Sequence, residues 1–161
     1  MSRRVRLILV LVFAVAALWW WKGRLSSAER EVQALFDGFA REFNSGASGG
    51  IGLLTRAAHI GQYFTPDVVI ELAQGSPPIQ GRETLMGMAS RLQPRTSAFE
   101  LEFDDVTVEF REPDHGEVTF TALFRQLSGE KSIDAREFSA EVVRTDGRWR
   151  VSRVVAIDTL R

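Results

Sequence analysis

An unbroken run of fifteen apolar residues, from Leu7 to Trp21, is the first pattern along the chain. As a helix rising about 1.5 Å per residue it spans about 22 Å, somewhat less than a hydrocarbon core of about 30 Å. Arg6, Lys22 and Arg24 flank the run and can extend their charges to the headgroups, while its three terminal tryptophans suit the membrane interface. The pattern predicts that residues 7–24 form a transmembrane signal anchor with its basic flank, in contact with the lipid bilayer.

Two other interpretations of this segment remain open. A cleaved secretory signal is one, because Ala14-Val15-Ala16 has the small-x-small pattern of a cleavage site. Cleavage there would leave Leu18 and the tryptophans exposed at the new N-terminus. The other interpretation is that the segment forms a buried core helix. The basic residues within residues 1–6 favour a cytoplasmic N-terminus, so the C-terminal domain is expected to be periplasmic or extracellular.

Helical periodicity governs the first half of the remaining domain, residues 25–161. Ser26 and Glu29 form a capping box, and an apolar stripe then recurs at 3.6-residue spacing, which predicts a helix over 27–44. The glycine-rich stretch Ser45–Gly52 is expected to end this helix as a loose loop. A shorter helix follows, up to Phe64. The apolar stripe of the first helix consists of Val32, Leu35, Phe36, Phe39 and Phe43.

A third helix is predicted from Arg82 to Leu92, where Pro94 stops it. Between the second and third helices, Thr65-Pro66-Asp67 is expected to open a short extended segment, Val68–Leu72, followed by a turn at Gly75–Pro78. The second half of the chain therefore has to supply most of the sheet.

Alternation with a period of two begins at Phe99 and changes phase at Asp104-Asp105, which predicts a β-bulge that bends the strand. Turn signals at Pro113–Gly116, Ser128–Glu130 and Asp146-Gly147 separate the strands that follow. The pattern predicts an α+β fold in which a curved antiparallel sheet wraps around three helices. The strands expected after the first are Val118–Leu127, Ile133–Val143 and Arg148–Ile157.

Composition and charge exclude some classes of function. Residues 1–24 hold five basic residues and no acidic one, so the net charge of −1 leaves −6 on the rest of the chain. An acidic body argues against nucleic acid, which needs a concentrated basic face. The chain has no cysteine and only two histidines, His59 and His115, so no metal site and no cofactor is expected.

Three motifs give the chain a resemblance to the nuclear-transport-factor-2-like, or SnoaL-like, superfamily. They are FTPDVVIE at Phe64–Glu71, PIQGRE at Pro78–Glu83 and DGRWRV at Asp146–Val151, and the resemblance extends over residues 27–161. It implies an α+β cone with a pocket between sheet and helices. The chain looks most like the ketosteroid isomerase branch, whose base faces an oxyanion hole of a tyrosine and a protonated aspartate.

The residues of this chain depart from the isomerase pattern at all three catalytic positions. Leu72 falls on the base, Phe39 on the tyrosine, and Ser139 on the acidic donor, or Phe138 or Ala140 if the hairpin shifts by one residue. Leucine cannot take a proton and phenylalanine cannot donate a hydrogen bond, so no isomerase activity and no catalytic residue is expected. Enzymatic activity of another kind stays open, although its absence is favoured.

Other side chains could still line a pocket. His59 and Tyr63 are one helical turn apart and could face a ligand, or could simply end a helix at the mouth of the cone. Glu71 is expected on the solvent side of its strand. The pocket candidates are Phe39, Phe43, His59, Tyr63, Phe64, Leu72, Phe99 and Asp158.

These observations favour a membrane-anchored, non-catalytic binding or assembly module on the extracytoplasmic side. The resemblance implies a homodimer or a protein partner on the outer face of the sheet. The alternative is a protein that binds a small hydrophobic ligand, or an isomerase- or hydrolase-like enzyme that uses the pocket with other residues.

Overall fold

The computed structural model describes residues 27–45, 50–73, 75–96, 99–127 and 132–157. The chain divides into two compact units, Met1–Glu31 and Val32–Arg161. The predicted anchor, the capping residue Ser26, the loop at 128–131 and Asp158 lie outside the described residues. Among the helices within those ranges, none is both long and apolar enough to cross a membrane.

Three helices precede the long strands. Helix α1 covers residues 27–44, which agrees with the prediction, and α2 runs Gly50–Gly61. The second helix was predicted to start later and reach Phe64, whereas Gly50 and Gly52 are helical and Phe64 already belongs to a strand. Helix α3, Arg82–Thr96, was expected to stop before Pro94 but includes it. Because Pro94 lies in the last turn, its missing N–H removes a single backbone bond and the helix tolerates it.

Six strands form one sheet in the order β2-β1-β6-β5-β4-β3. The fold class is α+β as predicted, but the sheet is not wholly antiparallel, since β1 pairs with β6 in parallel. Thr65-Pro66-Asp67 lies inside β1 at an irregularity of this pairing rather than ahead of the strand. The strands are β1 Phe64–Glu71, β2 Ile79–Gln80, β3 Phe99–Glu112, β4 His115–Gln126, β5 Ile133–Thr145 and β6 Arg148–Ala156.

The bulge predicted in β3 is present. Asp104 pairs with Thr121 and Thr107 with Thr119, so β3 has one more residue than β4 between these two pairs. Asp105 takes up the extra residue with a φ of 52°, in the left-handed region that aspartate tolerates better than most residues. The change of phase keeps apolar side chains on one face of β3 on both sides of the bulge.

The hairpin between β5 and β6 also follows the prediction. Asp146 and Gly147 form its two-residue loop with φ values of 54° and 74°, the pattern of a type I′ turn. The earlier hairpin is tighter than predicted, because Glu112 already pairs with His115 and only Pro113 and Asp114 turn the chain.

The core lies between α1 and one face of the sheet, called here the inner face. Phe36 of α1 meets Phe103 edge to face at 5.4 Å and Phe120 at 4.9 Å between ring centroids. At the end of α1, the Asn44 amide donates to the Leu101 carbonyl and accepts from the Leu101 N–H, both at 2.8 Å. This pair of bonds fixes the end of α1 to the edge strand β3 and so sets the space enclosed between them.

Candidate functional site

A cavity of about 200 Å³ lies between α1 and the inner face of the sheet. Its walls come from α1, the residues that follow α2, and strands β1, β3, β4, β5 and β6. The cavity is lined by Leu35, Phe36, Phe39, Phe43, Tyr63, Phe64, Ile70, Leu72, Leu101, Phe103, Phe120, Ala122, Phe124, Phe138, Val151 and Val154.

Strand alternation places these side chains. Successive residues of a strand point to opposite faces, so Phe120, Ala122 and Phe124 of β4 all face inward. Ala122 opposes Phe103 on β3, and this small residue between large rings leaves room that a larger side chain would fill.

Phe39 is the centre of the aromatic wall. Its ring meets Phe64 edge to face at 5.5 Å and Tyr63 edge to face at 5.6 Å, and it lies 6.3 Å from Phe43 one turn along α1. Edge-to-face pairs are a favourable geometry for aromatic rings and restrict their rotation. The wall is therefore held in place by the rings themselves.

Tyr63 brings the one polar side chain among the described residues that line the cavity. A β-carbon on Gly38 would lie 3.0 Å from the Tyr63 hydroxyl oxygen, so the absence of a side chain at Gly38 lets the phenol approach α1. Burial, and then the charge of Glu42, raise the pKa of Tyr63, while Arg41 opposes them. The phenol is therefore neutral at physiological pH and acts as a hydrogen-bond donor or acceptor, not as a base.

A polar cluster stands beside the cavity at the end of α1. Arg56 of α2 donates from Nε to the Glu42 carbonyl at 3.1 Å and also donates to the Phe43 carbonyl, so it satisfies carbonyls that the end of a helix leaves open. Burial lowers the pKa of Arg56, and Glu42 counters the shift. His59 Nδ1 lies 3.3 Å from Glu42 Oε1, and its side chain is about half exposed.

Five of the eight pocket candidates line the cavity: Phe39, Phe43, Tyr63, Phe64 and Leu72. His59 is not among the lining residues, because it faces Glu42 and the surface. Phe99 is exposed at the start of β3, and Asp158 lies outside the described residues. Whether the five residues bind a ligand stays a prediction.

The three positions aligned with the isomerase site have different surroundings. Phe39 and Leu72 line the cavity, whereas Ser139 lies on the opposite, outer face of β5, where its hydroxyl donates to Glu117 Oε1 at 3.1 Å. The neighbouring Phe138 lines the cavity instead. With the hairpin shifted by one residue, all three positions are apolar.

Sequence reasoning did not assign the wall residues of strands β3 to β6 to a pocket. The register of β3, β4 and β6 was needed to place four of them in the wall: Leu101, Ala122, Phe124 and Val154. Alternation alone could have placed Phe120, Ala122 and Phe124 on one face. The Arg56 contacts carried no sequence signal, because they join residues of two helices through backbone carbonyls.

The remaining titratable candidates lie outside the cavity. Glu71 accepts from Arg153 at 2.8 Å, away from the lining residues, which agrees with the expected solvent-side position. Within the described ranges, no group of three or more histidine, aspartate or glutamate side chains could hold a metal ion.

The fold and its pocket define the class of protein to which the chain belongs. The SnoaL-like domain model matches residues 24–155, and the chain belongs to this family. No curated protein shows significant sequence similarity to the chain.

Solved structures share the fold at low sequence identity. One is a putative scytalone dehydratase from Novosphingobium aromaticivorans, 12% identical, with a TM-score of 0.68 over 86% of this chain and 89% of that one. A nuclear-transport-factor-2-like protein with a cystatin-like fold from the same organism is 16% identical, with a TM-score of 0.69 over 86% of this chain and 88% of that one.

A third similar structure is a putative calcium/calmodulin-dependent protein kinase II association domain from Xanthomonas campestris. It is 18% identical to this chain, with a TM-score of 0.60 over 81% of this chain and 89% of that one. The named neighbours are described as a putative dehydratase and a putative association domain, so the shared fold does not identify the activity of this chain.

Proposed function

We propose that the protein binds a small apolar molecule in the cavity and performs no acid–base chemistry on it. One observation carries this proposal: a cavity of about 200 Å³ whose described walls are apolar except for Tyr63. Binding pockets for small molecules are mostly apolar, with a few polar groups that orient the ligand. Here the described wall presents only apolar surface, because the Tyr63 hydroxyl lies against α1 at Gly38.

The volume limits the size of the ligand. An apolar cavity of about 150 Å³ in another protein stays dry and binds benzene or xenon. A cavity of about 200 Å³ therefore suits a substituted single ring, a compact bicyclic molecule or a short branched alkyl group. Water gains little there, because it needs two to four polar partners and the described wall presents only apolar surface.

The absence of a base in the described wall favours binding over catalysis. Proton abstraction needs a titratable group within hydrogen-bond distance of the substrate. The positions that face the cavity carry Phe39, Leu72 and Phe138, and the pKa of Tyr63 is raised, so the phenol does not act as a base near neutral pH. His59 pairs with Glu42 at the surface, outside the wall.

The proposal includes a membrane tether through residues 7–24 and an extracytoplasmic location for the domain. The apolar run from Leu7 to Trp21 and its basic flanks support it. An assembly role through the outer face of the sheet stays a prediction. The cavity favours a ligand over a scaffold, since a domain that served only as a scaffold would need no apolar cavity of this size.

The experiment compares probe binding by the full chain in lipid nanodiscs with binding by two variants in which an alanine is replaced by leucine. Toluene is the probe, and methyl resonances of Ile70, Leu101 and Val154 report its entry by NMR. Ala122→Leu fills the cavity. Ala135→Leu is the matched control, since it makes the same change on an exposed position of the neighbouring strand, on the outer face. Empty nanodiscs correct for partitioning of toluene into lipid.

We expect saturable shifts of these methyl resonances in the wild type and in Ala135→Leu, and at least about tenfold weaker binding in Ala122→Leu, equivalent to about 1.4 kcal/mol. Equal binding by all three proteins would place the probe elsewhere and contradict the proposal. A stability measurement on Ala122→Leu confirms that the variant is folded before its binding is interpreted.

A further inference from the structure

Strand β5 changes from apolar to charged along the inner face of the sheet. Its inward side chains are buried and apolar in the middle of the strand, but toward Ile133 they become charged and exposed. A charged group on a face that otherwise forms the core needs water or a counter-charge beside it. The change therefore marks the place where the inner face meets solvent. In order toward Ile133, the inward residues are Val142, Ala140, Phe138, Arg136 and Asp134.

The strand register places Arg136 at the edge of the cavity. Its partner on β4 is Ala122, a buried residue of the cavity wall, and Phe138, the next inward residue of β5, also lines the cavity. The β-carbons of two opposed residues lie about 4.5–5.5 Å apart, and an arginine side chain is longer than this separation. The guanidinium therefore reaches the space in front of the wall, although Arg136 is not itself a lining residue.

Leu72 shows that the cavity wall reaches solvent on the same side. It lines the cavity and is half exposed. The register puts Leu72 level with Ala156 of β6, whose partner on β5 is Phe138. Since Arg136 is the next inward residue after Phe138, Leu72 and Arg136 lie on one side of the cavity. These two residues define what is called here the opening.

Arg136 has one carboxylate beside it at the opening. Its Nε lies 3.2 Å from Asp134 Oδ2, and the two side chains are 57% and 60% exposed. This contact uses Nε, while the two terminal nitrogens of a guanidinium supply the parallel pair of donors that fits a carboxylate. Asp134 is two residues farther from the row of Leu72, about 6.6 Å at 3.3 Å per residue. The guanidinium is therefore the nearer of the two charges to the opening.

The other acidic side chains of this end of the sheet face elsewhere. Strand alternation places three of them on the outer face, separated from the cavity by the sheet itself. Glu42, at the end of α1, faces His59 of α2. Among the described residues, an anion at the opening thus meets Arg136, with Asp134 as the competing carboxylate. The three acids of the outer face are Glu100, Glu102 and Glu137.

We propose that the ligand of the cavity is an amphipathic carboxylate, whose apolar body fills the cavity and whose carboxylate pairs with Arg136 at the opening. The wall presents only apolar surface, so a polar group of the ligand has no partner inside and stays at the opening. A planar carboxylate matches the fork of the guanidinium. The inference rests on the proposed function, because it needs the cavity as an apolar binding site, and it adds the chemical class of the ligand.

The test uses the full chain in nanodiscs of zwitterionic lipid at neutral pH. Three probes share a phenyl ring and a three-carbon chain and differ in their end group: phenylpropanoate, phenylpropanamide and phenylpropylamine. The methyl resonances of Ile70, Leu101 and Val154 report binding, as for toluene. Empty nanodiscs correct for partitioning of each probe into lipid.

We expect the wild-type chain to bind the carboxylate about three- to fivefold more tightly than the amide, as for an exposed ion pair, and to bind the ammonium most weakly. Arg136→Gln should remove the difference between carboxylate and amide. Its affinity for the amide should stay at the wild-type value, which shows that the variant is folded and its cavity intact.

Two further variants locate the effect. Arg125→Gln is the matched control, because Arg125 is also exposed and paired with an acid, Glu102, but lies on the outer face of the neighbouring strand. It should keep the wild-type preference. Asp134→Asn should increase the preference for the carboxylate, because it removes the acid that competes for the guanidinium.

The outcomes separate this inference from the proposed function. Saturable binding with equal affinities for the three probes, or a preference for the ammonium, would overturn the carboxylate and leave the apolar cavity site standing. A carboxylate preference that survives in Arg136→Gln, or that is lost equally in Arg125→Gln, would also overturn it. If neither toluene nor any of the three probes binds, both proposals fail.

Discussion

Tyr63 is the only tyrosine of the chain and the one polar side chain among the described residues of the cavity wall. Its hydroxyl lies against α1 at Gly38, where any larger residue would meet the ring. Tyr63 and Gly38 therefore define one side of the cavity, and each gives a prediction at the scale of a single side chain.

The titration of Tyr63 follows from its surroundings. Burial and then Glu42 raise its pKa, so the neutral phenol is favoured in the folded protein. The stability that this contributes is complete below the ordinary value of about 10 and is lost as the pH rises through the raised pKa. We expect the tyrosinate absorbance of the folded chain to appear at higher pH than that of the chain in denaturant.

Two variants check the cause of this shift. Glu42→Gln should lower the pKa of Tyr63 toward its ordinary value, because it removes the negative charge that disfavours tyrosinate. Tyr63→Phe should abolish the absorbance change. Identical titrations of the folded and denatured chains would contradict the position given to the phenol.

Gly38 gives a second prediction. A helical Gly→Ala change ordinarily stabilises by about 0.5–1 kcal/mol, and Gly87→Ala in α3, which has open space around it, should show that gain. Gly38→Ala should gain less or lose stability, because its β-carbon would displace the Tyr63 ring. Denaturant unfolding measures both variants. Equal gains would show that the phenol does not rest on Gly38.

At the scale of the element, the bulge of β3 shows what the sequence can predict. The change of alternation at Asp104-Asp105 is a local pattern, and it correctly located the extra residue. The parallel pairing of β1 with β6 had no such signal, since it joins Val69 to Arg153 across most of the domain. Long-range pairing depends on the whole arrangement of the sheet, which single-strand patterns do not encode.

The bulge makes a prediction through the backbone of Asp105. With a φ of 52°, Asp105→Gly should be neutral or stabilise by up to about 1 kcal/mol, and Asp105→Val should destabilise by about 1–2 kcal/mol. Glu109→Val, an exposed change in the same strand without a left-handed φ, should shift stability by less than about 0.5 kcal/mol. Equal effects of the two valine variants in urea unfolding would argue against a left-handed residue at 105.

The candidate site also contains features that the sequence could predict and features that it could not. The apolar stripe of α1 correctly predicted that Phe39 and Phe43 share a face, because helical spacing is a local property of the sequence. His59 and Tyr63 have the same spacing, yet only Tyr63 reaches the cavity, because α2 ends at Gly61 and the chain turns before β1. The helix that would have kept the two side chains on one face does not continue through Tyr63.

At the scale of the whole molecule, the domain keeps the SnoaL-like fold while its cavity lacks a base among the described residues. We therefore expect the full chain to leave a Δ5-3-ketosteroid unchanged in an absorbance assay for the conjugated product. Leu72→Asp, at the position aligned with the base, tests whether the missing carboxylate is the reason for the lack of turnover. The fold should tolerate this change, because Leu72 is half exposed. Turnover by the wild-type chain would contradict the assignment of the cavity to binding alone.

The central claim is that an open apolar cavity lies between α1 and the sheet, and a crystal structure of the full chain under xenon pressure tests it most directly. Xenon occupies apolar cavities that water leaves empty. We predict xenon density between Phe39, Ala122 and Val154, with the aromatic rings of the wall in their present positions. A wall whose phenylalanine rings have rotated into the space, with no xenon bound, would contradict the claim.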